Sequence, residues 1–237
     1  MSKHERRRLA LLAGIALAAA TWPAAVPARP TPATAVKPSQ AVVTLKSAHE
    51  AFSKPARSSK PIELVQAKRP LTLGPTVLPV LGRYLQWLHV MLPGRPNGHT
   101  GWISRAGTNV TTTIWHIVVH RATRRVTVYR SGRPVRSVEA VVGKPSTPTP
   151  FGEFFVEEGI RLGPSDVGAP FALALSARSN VLQEFDGGPG QIALHGLTNV
   201  GGVLGTAVSH GCVRLANEMM RWLIVRVGAG TPVTITR

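Results

Sequence analysis

From residue 84 to residue 236, short apolar runs alternate with turn-forming residues, and the repeat within each run is close to two, the period of a half-buried strand. This pattern predicts strands over 84–90, 101–103, 114–120, 126–130, 134–142, 153–157, 171–175 and 191–194, with a closing strand over 232–236. Pro93-Gly94-Arg95-Pro96-Asn97-Gly98 and Gly187-Gly188-Pro189-Gly190 are the clearest turns. One stretch breaks the pattern. Leu215, Met219, Trp222, Leu223, Val225 and Val227 recur at helical spacing, with Asn217 as a workable N-cap and Gly228 to Gly230 as a stop, so a helix is expected over 215–227. The expected fold is therefore mainly β with one well-marked helix.

Two N-terminal regions lie outside that pattern. Residues 1–28 join a basic start (Lys3, Arg6, Arg7, Arg8) to the apolar run Leu9 to Ala20 and to Val26-Pro27-Ala28, a workable cleavage site, and read as a secretory signal peptide. An uncleaved anchor is the alternative, although the run is shorter than the roughly 18 to 20 residues a span needs. Either way the remainder is expected outside the cytoplasm. Residues 29–70 are rich in Pro, Ala, Ser, Thr and Lys, which predicts a disordered, extended tether. Residues 71–108, with Trp87 and Trp102 around a Pro-Gly/Asn-Gly turn, are expected to form a small SH3-like β segment, both tryptophans serving as core.

The single cysteine of the chain, Cys212, cannot form an intrachain disulfide, so it is kept for packing or for reactivity. It sits in Ser209-His210-Gly211-Cys212-Val213-Arg214, and a thiol acts as a nucleophile only when a base or positive charge promotes its ionisation. Two histidines are candidates: His210 in the motif, and His195 in the strand-like run Gln191 to His195 that ends at Gly196. The Gly-, Thr- and Val-rich stretch 197–208 is long enough to bring Cys212 back beside His195. His116 and His120 share one side of a strand but have no third ligand nearby, so no metal site is expected. Glu157, Glu158, Glu184 and Asp186 lack the paired context of a glycosidase and are expected in solvated loops.

The formal charge is +17, which suggests a polyanionic partner. With an export signal and no recognition helix or stacking motif, nucleic acid is not expected; anionic wall polymers, a membrane surface or peptidoglycan carboxylates suit the compartment better.

His195-Gly196, a loop, then Ser-His-Gly-Cys-Val-Arg resembles the signature of the bacterial L,D-transpeptidases of the YkuD type. Gly143-Lys144-Pro145-Ser146-Thr147-Pro148-Thr149-Pro150-Phe151-Gly152-Glu153-Phe154 is similar to a second segment of that family. The resemblance covers residues 114–237 and implies a β-sandwich or barrel-like catalytic domain that cross-links peptidoglycan without a cofactor or metal. It implies that Cys212 attacks the carbonyl of the third residue of a tetrapeptide stem, that His195 moves the proton, and that the Gly196 carbonyl orients His195. Carbapenems are the inhibitors it implies. From the residues themselves, His210 would support the site, Ser209 and Gly211 would shape the loop and admit substrate, and Arg214 would grip a stem carboxylate or serve in a structural ion pair. Two other readings remain: a cell-wall peptidase or carboxypeptidase using the same Cys/His site, and a non-catalytic wall-binding protein.

Overall fold

The computed structural model describes residues 36–185 and 187–237; the expected signal peptide, residues 29–35 and Asp186 lie outside them. Two sheets form the body. The first contains β1 (Gln40–Leu45), β2 (His49–Phe52), β3 (Pro61–Val65), β4 (Val77–Tyr84), β5 (Trp87–Met91), β6 (Thr100–Ser104) and β7 (Thr108–Thr113), in the order β3-β2-β6-β5-β4-β1-β7. The next ten strands are β8 (Trp115–His120), β9 (Arg125–Arg130), β10 (Arg133–Glu139), β11 (Val142–Gly143), β12 (Gly152–Arg161), β13 (Phe171–Arg178), β14 (Gln191–His195), β15 (Ala207–Ser209), β16 (Val213–Arg214) and β17 (Pro232–Thr236). Eight of them make the second sheet, β10-β9-β8-β17-β12-β13-β14-β16, and β11 pairs with β15 as a short parallel ribbon. The protein is mainly β, as the alternation predicts.

The tether expectation fails over 40–65, where β1, β2 and β3 are ordered parts of the first sheet. Val42, Val43, Leu45, Ala51, Phe52 and Val65 are all buried, and β1 pairs with both β4 and β7. The Pro- and Lys-rich average conceals these local apolar clusters. The first sheet accordingly runs from Gln40 to Thr113, well beyond the expected 71–108 segment. The strand expected over 84–90 is borne out from Trp87 to Val90, which lie in β5, but it is broken at its start: Tyr84 ends β4, and the turn at Leu85, exposed with φ 49°, and Gln86 separates the two strands. Trp87 is buried edge-on to Phe52, while the half-buried His89 lies in strand β5 stacked on Trp102.

Strand β12 ties the two sheets together. Successive residues of a strand face opposite ways. Phe154 joins the second core with Ile117, Leu173, Leu194 and Val213, whereas Phe155 joins the first with Val43, Leu78, Leu88 and Ile103. The same strand carries Glu157 and Glu158, which are buried instead of solvated. Glu157 is paired with Arg69 and Arg178, and Glu158 accepts from the Thr72 amide and hydroxyl. Paired in this way, the carboxylates avoid the cost of an isolated buried charge.

The α-helix, α1, spans Asn217–Ile224, shorter than expected, and packs Met219, Met220 and Leu223 into the second core. Its cap position is held by Ala216, with no side-chain cap bond. Asn217 is used elsewhere, at the candidate site.

Candidate active site

Parallel pairing of β14 with β16 sets Leu194 opposite Val213 and His195 opposite Arg214. Cys212, one residue before Val213, is thereby carried to the β14 edge, where its Sγ approaches the Gln191 carbonyl at 4.0 Å. Cys212 and His195 line one cavity of about 280 Å³, with Leu182, Phe185, Ile192, His210 and Arg214 among its walls. The loop expected to bring these two residues together does so.

His195 is oriented through one ring nitrogen. Its Nδ1 lies 2.9 Å from the Gly196 carbonyl, and because a carbonyl only accepts, Nδ1 carries the hydrogen and Nε2 keeps a lone pair. Gly196 has no room for a side chain: a Cβ there would fall 2.0 Å from the Ala169 oxygen and 2.6 Å from Asn217 Oδ1. Asn217 accepts from the Leu197 amide and donates to Thr198 Oγ1, both at 2.8 Å, which pins the segment after His195. The Thr198 carbonyl accepts from the Gly168 amide at 2.8 Å, and the Gly168 carbonyl accepts from the Gly196 amide at 2.7 Å.

The cysteine motif is strapped from behind. Ser209 is fully buried; its hydroxyl donates to the Cys212 carbonyl at 2.6 Å and accepts from the Gly211 amide at 3.1 Å. Its carbonyl accepts from the Lys144 amide at 2.9 Å and from Thr147 Oγ1 at 3.2 Å. Thr149 Oγ1 donates to the Gly211 carbonyl at 2.8 Å while accepting from the Gly143 amide at 2.9 Å. Gly211 adopts φ 125°, a backbone conformation that side chains rarely tolerate. Its amide is taken up by Ser209, whereas the Cys212 amide has no partner among the described residues.

Burial raises the Cys212 thiol pKa, opposed by the Ala193 backbone and the positive charge of Arg214. Burial likewise lowers that of His195, against the Gly196 hydrogen bond, and the Arg214 charge lowers it further. The resting pair is thus a thiol beside a neutral imidazole. Arg214 donates to the Gly201 carbonyl, and its buried Nε has no partner among the described residues. His210 is exposed and stacks on Phe185 with ring centroids 5.6 Å apart.

His116 is placed otherwise. Its Nε2 is 2.8 Å from Thr234 Oγ1, and burial lowers its pKa to about 4. Among the described residues no group of three or more His, Cys, Asp or Glu side chains is arranged to hold a metal ion. Thr147, Thr149 and Gly168 went unassigned in the sequence because each acts across the fold, and Asn217, expected as the helix N-cap, instead pins the segment after His195. The Gly143–Phe154 segment was visible as a motif, but its threonine bonds were not.

A β protein with a histidine at the end of one strand and a cysteine just before the parallel strand beside it, both lining one cavity, is the class these features define. A family model described as YkuD, L,D-transpeptidase catalytic domain, matches residues 114–235, and the chain belongs to that family. It is 29% identical over 151 residues to the putative L,D-transpeptidase YkuD of Bacillus subtilis (strain 168), which covers 62% of this chain and 74% of that protein. It is 29% identical over 121 residues to L,D-transpeptidase 1 of Mycobacterium tuberculosis (strain ATCC 25618 / H37Rv), covering 46% of this chain and 45% of that protein. The chain thus spans less than half of the second relative. A solved structure of L,D-transpeptidase 3 from Mycobacterium tuberculosis, in complex with a faropenem-derived adduct, overlaps with a TM-score of 0.45 at 15% identity, over 68% of this chain and 91% of that one.

Proposed function

We propose that the protein is an exported peptidoglycan L,D-transpeptidase that uses Cys212 as its nucleophile. The observation that carries this reading is His195, its Nδ1 fixed on the Gly196 carbonyl, lining the same cavity as the only thiol. His195 Nε2 takes the Sγ proton as sulfur attacks the carbonyl of the third residue of a tetrapeptide stem. The Cys212 amide donates to the developing oxyanion. His195 then returns the proton to the amine of the departing D-Ala, leaving a thioester. An amine of a second stem attacks that thioester, loses a proton to His195, forms the new amide and releases the thiol.

Arg214 favours the thiolate and grips a stem carboxylate, with Ser209 and Gly211 shaping the approach and His210 supporting the rim. The basic start and apolar run of residues 1–28 support export, and the charge of +17 supports association with anionic wall polymers or a membrane surface. Carbapenems, as acylating analogues of the donor, would modify Cys212.

The test is incubation of the chain from residue 29 onward with a disaccharide tetrapeptide, followed by mass spectrometry beside Cys212→Ala. A cross-linked dimer lacking one D-Ala, absent in the variant, is expected. Loss of D-Ala without a dimer would instead make the same site a carboxypeptidase, and an unmodified substrate in both samples would leave a wall-binding protein. His195→Ala should slow acylation by about 10² to 10⁴.

A further inference from the structure

Described residues of the connection between β13 and β14, Leu182, Phe185 and Gly190 among them, form one wall of the Cys212 cavity. The connection is closed on itself by the Ser179 amide donating to the Gly190 carbonyl at 2.8 Å, and Ser179 Oγ accepts from the Val181 and Leu182 amides. The pinch is tight: at Gly190, with φ 64°, a Cβ would fall 2.1 Å from the Leu182 oxygen. A second hold comes from the other sheet. In the turn between β5 and β6, Arg95 donates to the Pro189 carbonyl at 2.8 Å, the Ser179 carbonyl at 2.8 Å and the Leu182 carbonyl at 3.2 Å. Asn97 exchanges two bonds with the Arg178 backbone, at 2.7 and 2.8 Å, and donates to Asn180 Oδ1 at 3.1 Å.

We propose that Arg95 and Asn97 are positioning residues that set the width of the acyl-donor cavity. One planar guanidinium spans three acceptors, at the first residue of the loop, at its wall residue Leu182, and next to its last residue. Asn97 fixes the strand end from which the loop departs. The wall that faces the donor is therefore held by a module that contributes no residue to that cavity. Acyl-donor recognition depends on the first sheet, so a change in residues 93–98 alters donor binding before it alters the chemistry at Cys212.

This inference rests on the reading that Cys212 is acylated in that cavity, and the test separates the two. In the chain from residue 29 onward, Arg95→Ala is expected to raise amide hydrogen exchange across 179–190 about tenfold, with β8 and β12 unchanged. KM for the tetrapeptide should rise about tenfold, while alkylation of Cys212 by iodoacetamide, which needs no donor wall, stays within about twofold. Arg95→Lys, a point charge where a fork served three carbonyls, should fall between the two. Unchanged exchange in the loop, or a rise spread evenly over the chain, overturns the proposal. If the unaltered protein forms no acyl-enzyme, the transpeptidase reading fails, and the local exchange difference alone decides whether Arg95 holds the loop.

Discussion

Gly168 packs against the imidazole of His195 so closely that a Cβ at position 168 would lie 2.4 Å from Nδ1 and 2.8 Å from Cγ. No rotation of a small side chain relieves such a contact, and Gly168 also adopts φ 84°, where any L side chain is strained. The ring and the glycine define each other's position.

Gly168→Ala should therefore push His195 off the Gly196 carbonyl and lower the rate of Cys212 acylation by about 10²-fold, the scale of an ångström misplacement. Steady-state kinetics beside iodoacetamide alkylation would check it. A rate within about twofold of the unaltered protein would mean that the ring is held some other way.

Thr149 is fully buried between the Gly143 amide and the Gly211 carbonyl. Thr149→Val keeps the volume and removes both bonds, leaving the half-buried Gly143 amide and the buried Gly211 carbonyl without that partner, the latter at a cost of about 1–3 kcal/mol. Acylation should fall about tenfold or more, while Thr149→Ser, which keeps the hydroxyl, should restore most of it. Chemical denaturation and acylation measured together on both variants separate a loss of stability from a loss of site geometry.

Arg214 holds the thiol pKa lower than burial alone would leave it, and holds that of His195 lower as well. Removing its charge raises both. The pH profile of Cys212 alkylation, which follows the thiolate, should move to higher pH in Arg214→Gln. The acid limb of acylation, set by loss of the neutral imidazole, should move the same way. Unmoved profiles would confine Arg214 to its bond with Gly201.

His116 is half-buried, and partial burial lowers its pKa from the usual 6.5 to about 4 in the folded protein. Between those values the unfolded chain binds a proton that the folded chain does not, so stability is complete above 6.5 and declines as the pH falls toward about 4. His116→Gln, which does not titrate, should flatten the melting temperature over that window. Calorimetry at several pH values decides it.

The candidate site was legible where its chemistry is written in consecutive residues. Ser209 to Arg214 stand together, and His195 ends a run whose alternation marks a strand, so the pairing of β14 with β16 was within reach of the pattern. Thr147 and Thr149 were not, since their partners Ser209 and Gly211 are 62 residues away and no neighbouring residue signals that their hydroxyls are bonded. Gly168 looks like any turn glycine until His195 is placed against it. Val42, Val43 and Leu45 were obscured by the prolines and lysines around them, and Glu157 and Glu158 looked solvated because the groups that make their burial tolerable, Arg69, Arg178 and Thr72, are remote in sequence.

Phe154 and Phe155, back to back on β12, make the family match beginning at residue 114 a poor guide to where the chain can be cut. A fragment starting there would retain Phe155 and lose Val43, Leu78, Leu88 and Ile103 around it, presenting a bare aromatic ring beside a Glu157 that has lost Arg69. Such a fragment should be sticky and prone to precipitate. The intact chain, by contrast, should melt in one calorimetric transition, both halves losing their order at the same temperature.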